Sequence, residues 1–222
     1  MKIKLSPKMR LFIRRFLDEG QSQYISDKAL ERSYALSKLL RHKKGNVLEV
    51  GCSAADNQLP IVLAWLGWDV YGLDIRGFDL NHPNFHFISE DIRQTSFHDD
   101  FFDYVTAVST IEHIGLVRYG TTEEDPEGDV KAVREIKRIL KPKGTFILTI
   151  PYGREAVIKP LHRVYGKHRL NLLLEGWEVL DSQYYAPTEQ GQWKLAPEHS
   201  AAEVDASKGN YAIALFELRP GK

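Results

Sequence analysis

Asn46-Val47-Leu48-Glu49-Val50-Gly51-Cys52-Ser53-Ala54-Ala55-Asp56-Asn57 is the stretch whose reading decides the fold. Val47 to Val50 is a short apolar run interrupted only by Glu49, the pattern of a buried strand. Gly51 closes it, small residues follow, and a helix is expected to start near Asp56. Strand, small-residue turn and helix together make the opening unit of a nucleotide-binding α/β domain. Gly51 can take a positive φ and lets a ligand approach the backbone. Ser53 and Ala55 stand where a stricter pattern would carry glycines, so G-x-G-x-x-G fails and the turn needs support from the rest of the chain.

Downstream, that support is regular. Leu59 to Leu66 reads as a crossover helix with Pro60 in its first turn, and Asp69 to Asp74 as a second strand. Asp74 ends that strand 23 positions after Gly51, where a carboxylate can accept from both hydroxyls of a ribose above the first turn. Pro83 to Ile88 is a third strand followed by Ser89-Glu90-Asp91-Ile92-Arg93, and Phe102 to Val108 a fourth. Val130 to Leu140 has a helical apolar face, ended by Lys141-Pro142-Lys143-Gly144. Thr145 to Ile150 is a fifth strand, Trp177 to Tyr185 a sixth and Asn210 to Leu218 a final one, with a loop expected around Trp193 between the last two. A short helix is expected through Leu170 to Leu174. The acidic stretch Gly120 to Asp129 reads as a solvated loop in which Asp129 caps the next helix, in preference to a cation site.

Upstream, residues 9–19 suit an amphipathic helix. Ser26 or Asp27 can cap a second one, in which Ala29, Leu30, Tyr34, Leu36, Leu39 and Leu40 recur at helical spacing. Residues 1–44 are therefore read as a helical extension or lid, and 45–222 as the main domain. Residues 1–25 could serve as a homodimer contact or close over the site.

Among 222 residues, 30 basic and 30 acidic side chains cancel, so no global charge draws the chain to nucleic acid or an anionic membrane. The one cysteine, Cys52, excludes an internal disulfide and a cysteine-cluster metal site. No run reaches the ~18 apolar residues of a membrane span. A cytoplasmic location without metal is the expectation.

In this order and spacing the residues resemble class I S-adenosylmethionine-dependent methyltransferases over roughly residues 45–218. The motifs are VLEVGC at 47–52, YGLD at 71–74, SEDI at 89–92, FDYVTAVSTIEHIG at 102–115 and VREIKRILKPKGTFILTIPYG at 133–153. The resemblance implies an α/β, Rossmann-like fold with helices on both faces of a mostly parallel seven-stranded sheet. The implied order is 3-2-1-4-5-7-6 with the last strand antiparallel. It implies S-adenosyl-L-methionine as cofactor, with Glu49 and Gly51 bordering its methionine part and Cys52 and Ser53 completing the turn. Asp74 and Ile75 would meet the ribose, Asp91 and Ile92 the adenine, and Ser109 the floor beneath the sulfonium. A narrower resemblance rests on GLVRYG, DPEGD, PYGRE and HRVYG. It points to small methyltransferases associated with surface-polysaccharide synthesis, and so to a sugar or nucleotide-sugar hydroxyl as acceptor.

Methyl transfer from a sulfonium is an in-line displacement that depends on alignment, and a hydroxyl acceptor also benefits from a base. His113, just past the fourth strand, is the candidate base. Arg154, Arg163 and Tyr165 follow the fifth strand and are candidates for binding an acceptor, which their charge suggests is an anionic sugar. Two other classes compete. An NAD-type oxidoreductase predicts the turn glycines that are absent here, and a non-catalytic nucleotide-binding scaffold has no need of Asp74 and Asp91. Nucleic-acid methylation finds no large basic face or acceptor tetrad.

Overall fold

The computed structural model describes residues 26–54, 57–189, 191–208 and 210–221. The helix expected over 9–19 lies outside them.

The chain builds one eight-stranded sheet: β1 (Asn46–Val50), β2 (Asp69–Leu73), β3 (Phe85–Ile88), β4 (Phe102–Val108), β5 (Leu140–Tyr152), β8 (Trp177–Pro187), β9 (Trp193–Leu195) and β10 (Ala212–Pro220). A separate hairpin pairs β6 (Ala156–Ile158) with β7 (His162–Val164). The order is β3-β2-β1-β4-β5-β10-β8-β9. The first five strands run parallel, and β10 lies antiparallel between β5 and β8. The expected order therefore stands with one strand added at the edge. β9 forms where a loop was expected around Trp193, because Tyr185 to Pro187 of β8 offer an open edge and a Thr188–Gln192 turn folds the chain back onto it. Pro187, Gly191 and Pro197 leave only three residues extended, too few for a periodic signal.

Strand alternation sorts β5 between two layers. Phe146, Leu148, Ile150 and Tyr152 join a core with α3 (Gly128–Ile139) and α4 (Lys167–Leu173). Ile147 joins the opposite core, with Tyr34, Ala35 and Leu39 of α1 (Asp27–Leu39) and Leu59, Leu63 and Ala64 of α2 (Leu59–Trp65). Helices thus cover both faces. Ser26 caps α1, its Oγ accepting from the Ala29 N–H at 3.2 Å. The Lys38 ammonium, nearly buried on α1, meets Asp181 at 2.8 Å and Glu217 at 2.7 Å on β8 and β10, tying the helix to the sheet.

One further difference from the sequence reading has a local cause. β5 starts at Leu140, five residues before the expected Thr145. α3 still stops at Ile139, where Leu140 turns extended and pairs with Phe102; a register irregularity absorbs the Lys-Pro-Lys-Gly segment. Between β3 and β4 no helix forms among residues 89–101. Phe97 and Phe101 instead pack edge-on against Tyr71, with ring centroids 6.1 and 5.6 Å away, and cover the sheet as a helix would.

Candidate active site

The carboxyl ends of the parallel strands open into one cleft of about 930 Å³ counted out to its mouth. Open α/β sheets bind ligands at this edge. Gly51, Asp74, Ile75, Asp91, Ile92, Ser109 and His113 all line it. Gly51 holds φ +78°, and an added Cβ would overlap the Thr110 side chain, so both its backbone and its surroundings require glycine.

Asp74 and Asp91 sit in matching Asp-Ile-Arg turns. Asp74 Oδ1 accepts from the Arg76 backbone N–H and from Arg76 Nε, both at 2.9 Å. Its Oδ2 accepts from the Ser53 N–H at 3.0 Å and Arg76 Nη2 at 2.9 Å. Asp91 repeats the arrangement with the Arg93 N–H and guanidinium, at 2.7 to 3.1 Å. Burial alone would raise both carboxyls, but the hydrogen bonds from the arginines overcome it and hold both below the usual carboxylate range. Arg76 and Arg93 are cleft residues that the sequence reading missed, although the repeated tripeptide was there to be seen.

Ser109, at φ +46°, forms the floor. Its N–H donates to Thr149 Oγ1 at 3.0 Å, and its Oγ donates to Glu31 Oε1 at 2.6 Å. Lys28 Nζ donates to the same Ser109 Oγ at 2.5 Å and to Glu31 Oε2 at 3.0 Å. Helix α1 thereby puts a fully buried carboxylate and an ammonium at the cleft floor. Burial opposes the Lys28 charge, but Glu31, Glu112 and Asp27 outweigh it and hold the pKa above the ordinary lysine value. Neither Lys28 nor Glu31 carries a local sequence signal, because their partners lie about eighty residues away.

Glu49, Cys52 and Ser53 stand behind the cleft wall. Glu49 is fully buried, accepting from Asn57 Nδ2 at 2.9 Å and from the Thr106 hydroxyl, and burial pushes it up to about 7. Burial also pushes the Cys52 thiol up to about 12, which makes it a packing residue rather than a nucleophile. Ser53 contributes its backbone N–H to Asp74.

His113 follows β4 in a single 3₁₀ turn, Ile111–His113. Its Nδ1 lies 2.6 Å from the Leu161 carbonyl oxygen, an acceptor only, so Nδ1 carries the proton and Nε2 its lone pair. Burial lowers His113 to about 4, so the ring is neutral. Its neighbour Glu112 is buried with Oε2 unpartnered among the described residues, and burial pushes it up to about 8. Between pH 4.5 and 8 the folded chain therefore keeps a proton at Glu112 that the unfolded chain has released, so stability falls as pH rises through that window. His113 acts oppositely: the unfolded ring binds a proton below 6.5 and the folded ring only below about 4, so it costs stability as pH falls and contributes nothing above 6.5. Glu49 has released most of its proton by pH 8, which leaves pH 7 to 8 mainly to Glu112. Urea unfolding across that unit should cost the wild type up to ~1 kcal/mol. Glu112→Gln should lose most of that slope, keeping only the small share of Glu49; equal slopes would mean that Glu112 is already ionised.

The structure does not bring Arg154, Arg163 and Tyr165 to the cleft, which corrects their expected role as acceptor ligands. Arg154 is exposed and pairs with Glu203 at 2.9 Å. Arg163 is buried: its Nη1 donates to the Ile114 carbonyl at 2.6 Å, and its Nε lies 3.8 Å from Asp129. Tyr165 is fully buried and donates to Asp129 Oδ2 at 3.0 Å. Asp129, in the first turn of α3, also takes Arg169 Nη2 at 2.5 Å, so this basic-aromatic segment folds inward onto one buried carboxylate. Asp129 therefore does not cap α3 as expected: Glu127 stands at the N-cap, and the Asp129 carboxylate is taken up by Tyr165 and Arg169. Three other acids of the 120–129 stretch are ion-paired too, Asp125 with Arg93 and Lys131, Glu124 with Lys159 and Glu127 with Arg169. Among the described residues no three His, Cys, Asp or Glu side chains gather to hold a metal. No helix among them is long and apolar enough to cross a membrane.

The strand order and the cleft at its carboxyl edge define a class I methyltransferase fold, and solved structures bear this out. A Burkholderia thailandensis 1,6-didemethyltoxoflavin-N1-methyltransferase, bound to 1,6-didemethyltoxoflavin and S-adenosylhomocysteine, matches with TM-score 0.59 at 14% identity, over 100% of this chain and 94% of its own. An S-adenosylmethionine-dependent methyltransferase from Clostridium acetobutylicum matches at 0.56 and 12%, over 96% and 99%. The [4+2]-cyclase SpnF matches at 0.59 and 17%, over 96% and 94%, so likeness of fold does not fix the reaction. The chain itself belongs to the family described as Caenorhabditis protein of unknown function, DUF268, which matches residues 87–218. No curated protein matches it.

Proposed function

We propose that the protein is an S-adenosylmethionine-dependent methyltransferase acting on the hydroxyl of a small molecule, a sugar or nucleotide sugar being the acceptor suggested by the sequence resemblance. The observation that carries this reading is the pair of carboxylates, Asp74 and Asp91, at the ends of adjacent strands in a cleft floored by Gly51 and Ser109. The donor set fits the cofactor: carboxylates suit ribose hydroxyls and an exocyclic amine, and Ile75, Ile92 and Leu116 offer apolar surface to a base. When bound, S-adenosylmethionine would supply a methyl group already activated by its sulfonium. The chain's own task is alignment. The Ser109–Glu31–Thr149 hydrogen bonds fix the floor, and α1 holds Lys28 against it. With Nδ1 committed to Leu161, His113 keeps Nε2 as the acceptor for a hydroxyl proton. A pKa near 4 makes it a weak base, suited to taking a proton only as the hydroxyl oxygen loses its electrons to the new bond.

Calorimetric titration with S-adenosylmethionine and, separately, NAD tests the class. Binding of S-adenosylmethionine alone is expected. Binding of NAD alone would favour the oxidoreductase reading, against which the missing turn glycines already argue.

A further inference from the structure

The sequence suggested an anionic acceptor, but the arginines it chose are committed elsewhere. A different one is available. Arg76, Arg93 and Arg118 all line the cleft, and the first two are closed onto Asp74 and Asp91. Arg118 has no carboxylate among the described residues. Its Nη1 donates to the Leu161 carbonyl at 2.7 Å, while Nε and Nη2 have no partner there. The guanidinium carbon lies 4.5 Å from the Tyr119 ring centroid, and Arg76 lies 4.3 Å from the same ring. An aromatic face of this kind holds a guanidinium in place while leaving its edge free to donate.

The same Leu161 oxygen receives the His113 Nδ1–H, so the free guanidinium edge and the candidate base are anchored on one atom. A group gripped by Arg118 and a hydroxyl beside His113 can therefore belong to one small molecule. Nearby, His162, whose ring centroid is 6.3 Å from that of His113, buries an Nε2 that has no partner among the described residues, while the Lys28 ammonium at the floor is already paired with Asp27 and Glu31. Both histidines are held neutral by burial and by the Arg118 charge, so the His113 Nε2 lone pair stays free to accept a proton.

We propose that Arg118, on its Tyr119 platform, is an oxyanion subsite that holds a carboxylate or phosphate of the acceptor and so presents a neighbouring hydroxyl to His113. The assignment rests on the methyltransferase reading for its catalytic meaning, but its binding test stands apart. The full chain, with and without S-adenosylhomocysteine, is titrated with phenyl phosphate, benzoate and the neutral benzyl alcohol. The anionic probes should bind about 10- to 100-fold more tightly than the alcohol, the usual worth of hydrogen bonds to a charged group. Arg118→Gln should abolish that preference, and Arg118→Lys, which keeps the charge but not the fork, should retain only part of it. Equal affinity for the three probes, or a preference that survives in Arg118→Gln, overturns the subsite. S-adenosylhomocysteine binding is read in the same titrations; its absence overturns the enzyme class even where the anion preference stands, so the two failures are distinguishable.

Discussion

Replacing Asp74 by alanine is expected to weaken S-adenosylhomocysteine binding by about 1–3 kcal/mol, the cost of losing hydrogen bonds to a charged group. Replacing Arg76 by alanine should strengthen it. The opposite signs follow from counting lone pairs. A carboxylate offers about four acceptor sites, and Asp74 has filled all four. Two go to the backbone N–H groups of Ser53 and Arg76, one on each oxygen. The other two go to the Arg76 guanidinium, again one on each oxygen. Two ribose hydroxyls need one site on each oxygen, the pair that the guanidinium occupies. Arg76 must therefore leave before the ribose can bind, with the Tyr119 ring beside it as a resting place. The Arg76 side chain is a third exposed, so releasing it costs no more than a surface ion pair, about 0.5–1 kcal/mol, and that is the gain expected in Arg76→Ala. Calorimetry on both variants checks this. Normal binding by Asp74→Ala would mean the ribose lies elsewhere, and weaker binding by Arg76→Ala would make the guanidinium a ligand instead of a competitor.

That carboxylate was legible in the sequence because its position is set by backbone alone. A strand end at Leu73 delivers Asp74 to the sheet edge whatever else the chain does, and the same holds for Asp91 after β3 and Ser109 after β4. The strand order was legible only through the family resemblance, because apolar runs and turns place the strands along the chain without saying which of them pair. What was not legible depends on side-chain direction or on distant partners. Arg163 and Tyr165 lie near the end of β5 in sequence, but β7 turns them inward, and only the buried Asp129 explains why. Lys28 and Glu31 reach the floor because α1 packs across β4 and β5, a tertiary fact with no local trace. β9 escaped because three residues, one of them Leu195 at 60% exposure, make no pattern that distinguishes an edge strand from a loop.

The relocation of the basic segment carries the largest expected effect on stability. Asp129→Ala should destabilise the fold by about 3–5 kcal/mol, the cost of stripping one partner from a buried charge network. The side chain is fully buried and receives the Tyr165 hydroxyl and two Arg169 nitrogens, with Arg163 Nε at 3.8 Å. Removing it strips the buried Arg163 of its only nearby carboxylate among the described residues and leaves the mostly buried Arg169 with Glu127 alone. Tyr165→Phe removes one neutral donor and leaves the charges paired, so it should cost only about 1 kcal/mol. The contrast between the two variants in urea unfolding is the informative quantity. A large loss in Asp129→Ala beside a small one in Tyr165→Phe identifies a charge network that joins the start of α3 to β7 and α4. Similar small losses in both would mean that water enters to solvate the arginines and that the segment is held by packing alone. In either case acceptor binding should change little in Tyr165→Phe, because this cluster lies behind the site and shapes it only by fixing the β6–β7 hairpin, whose turn carries Leu161 to His113 and Arg118.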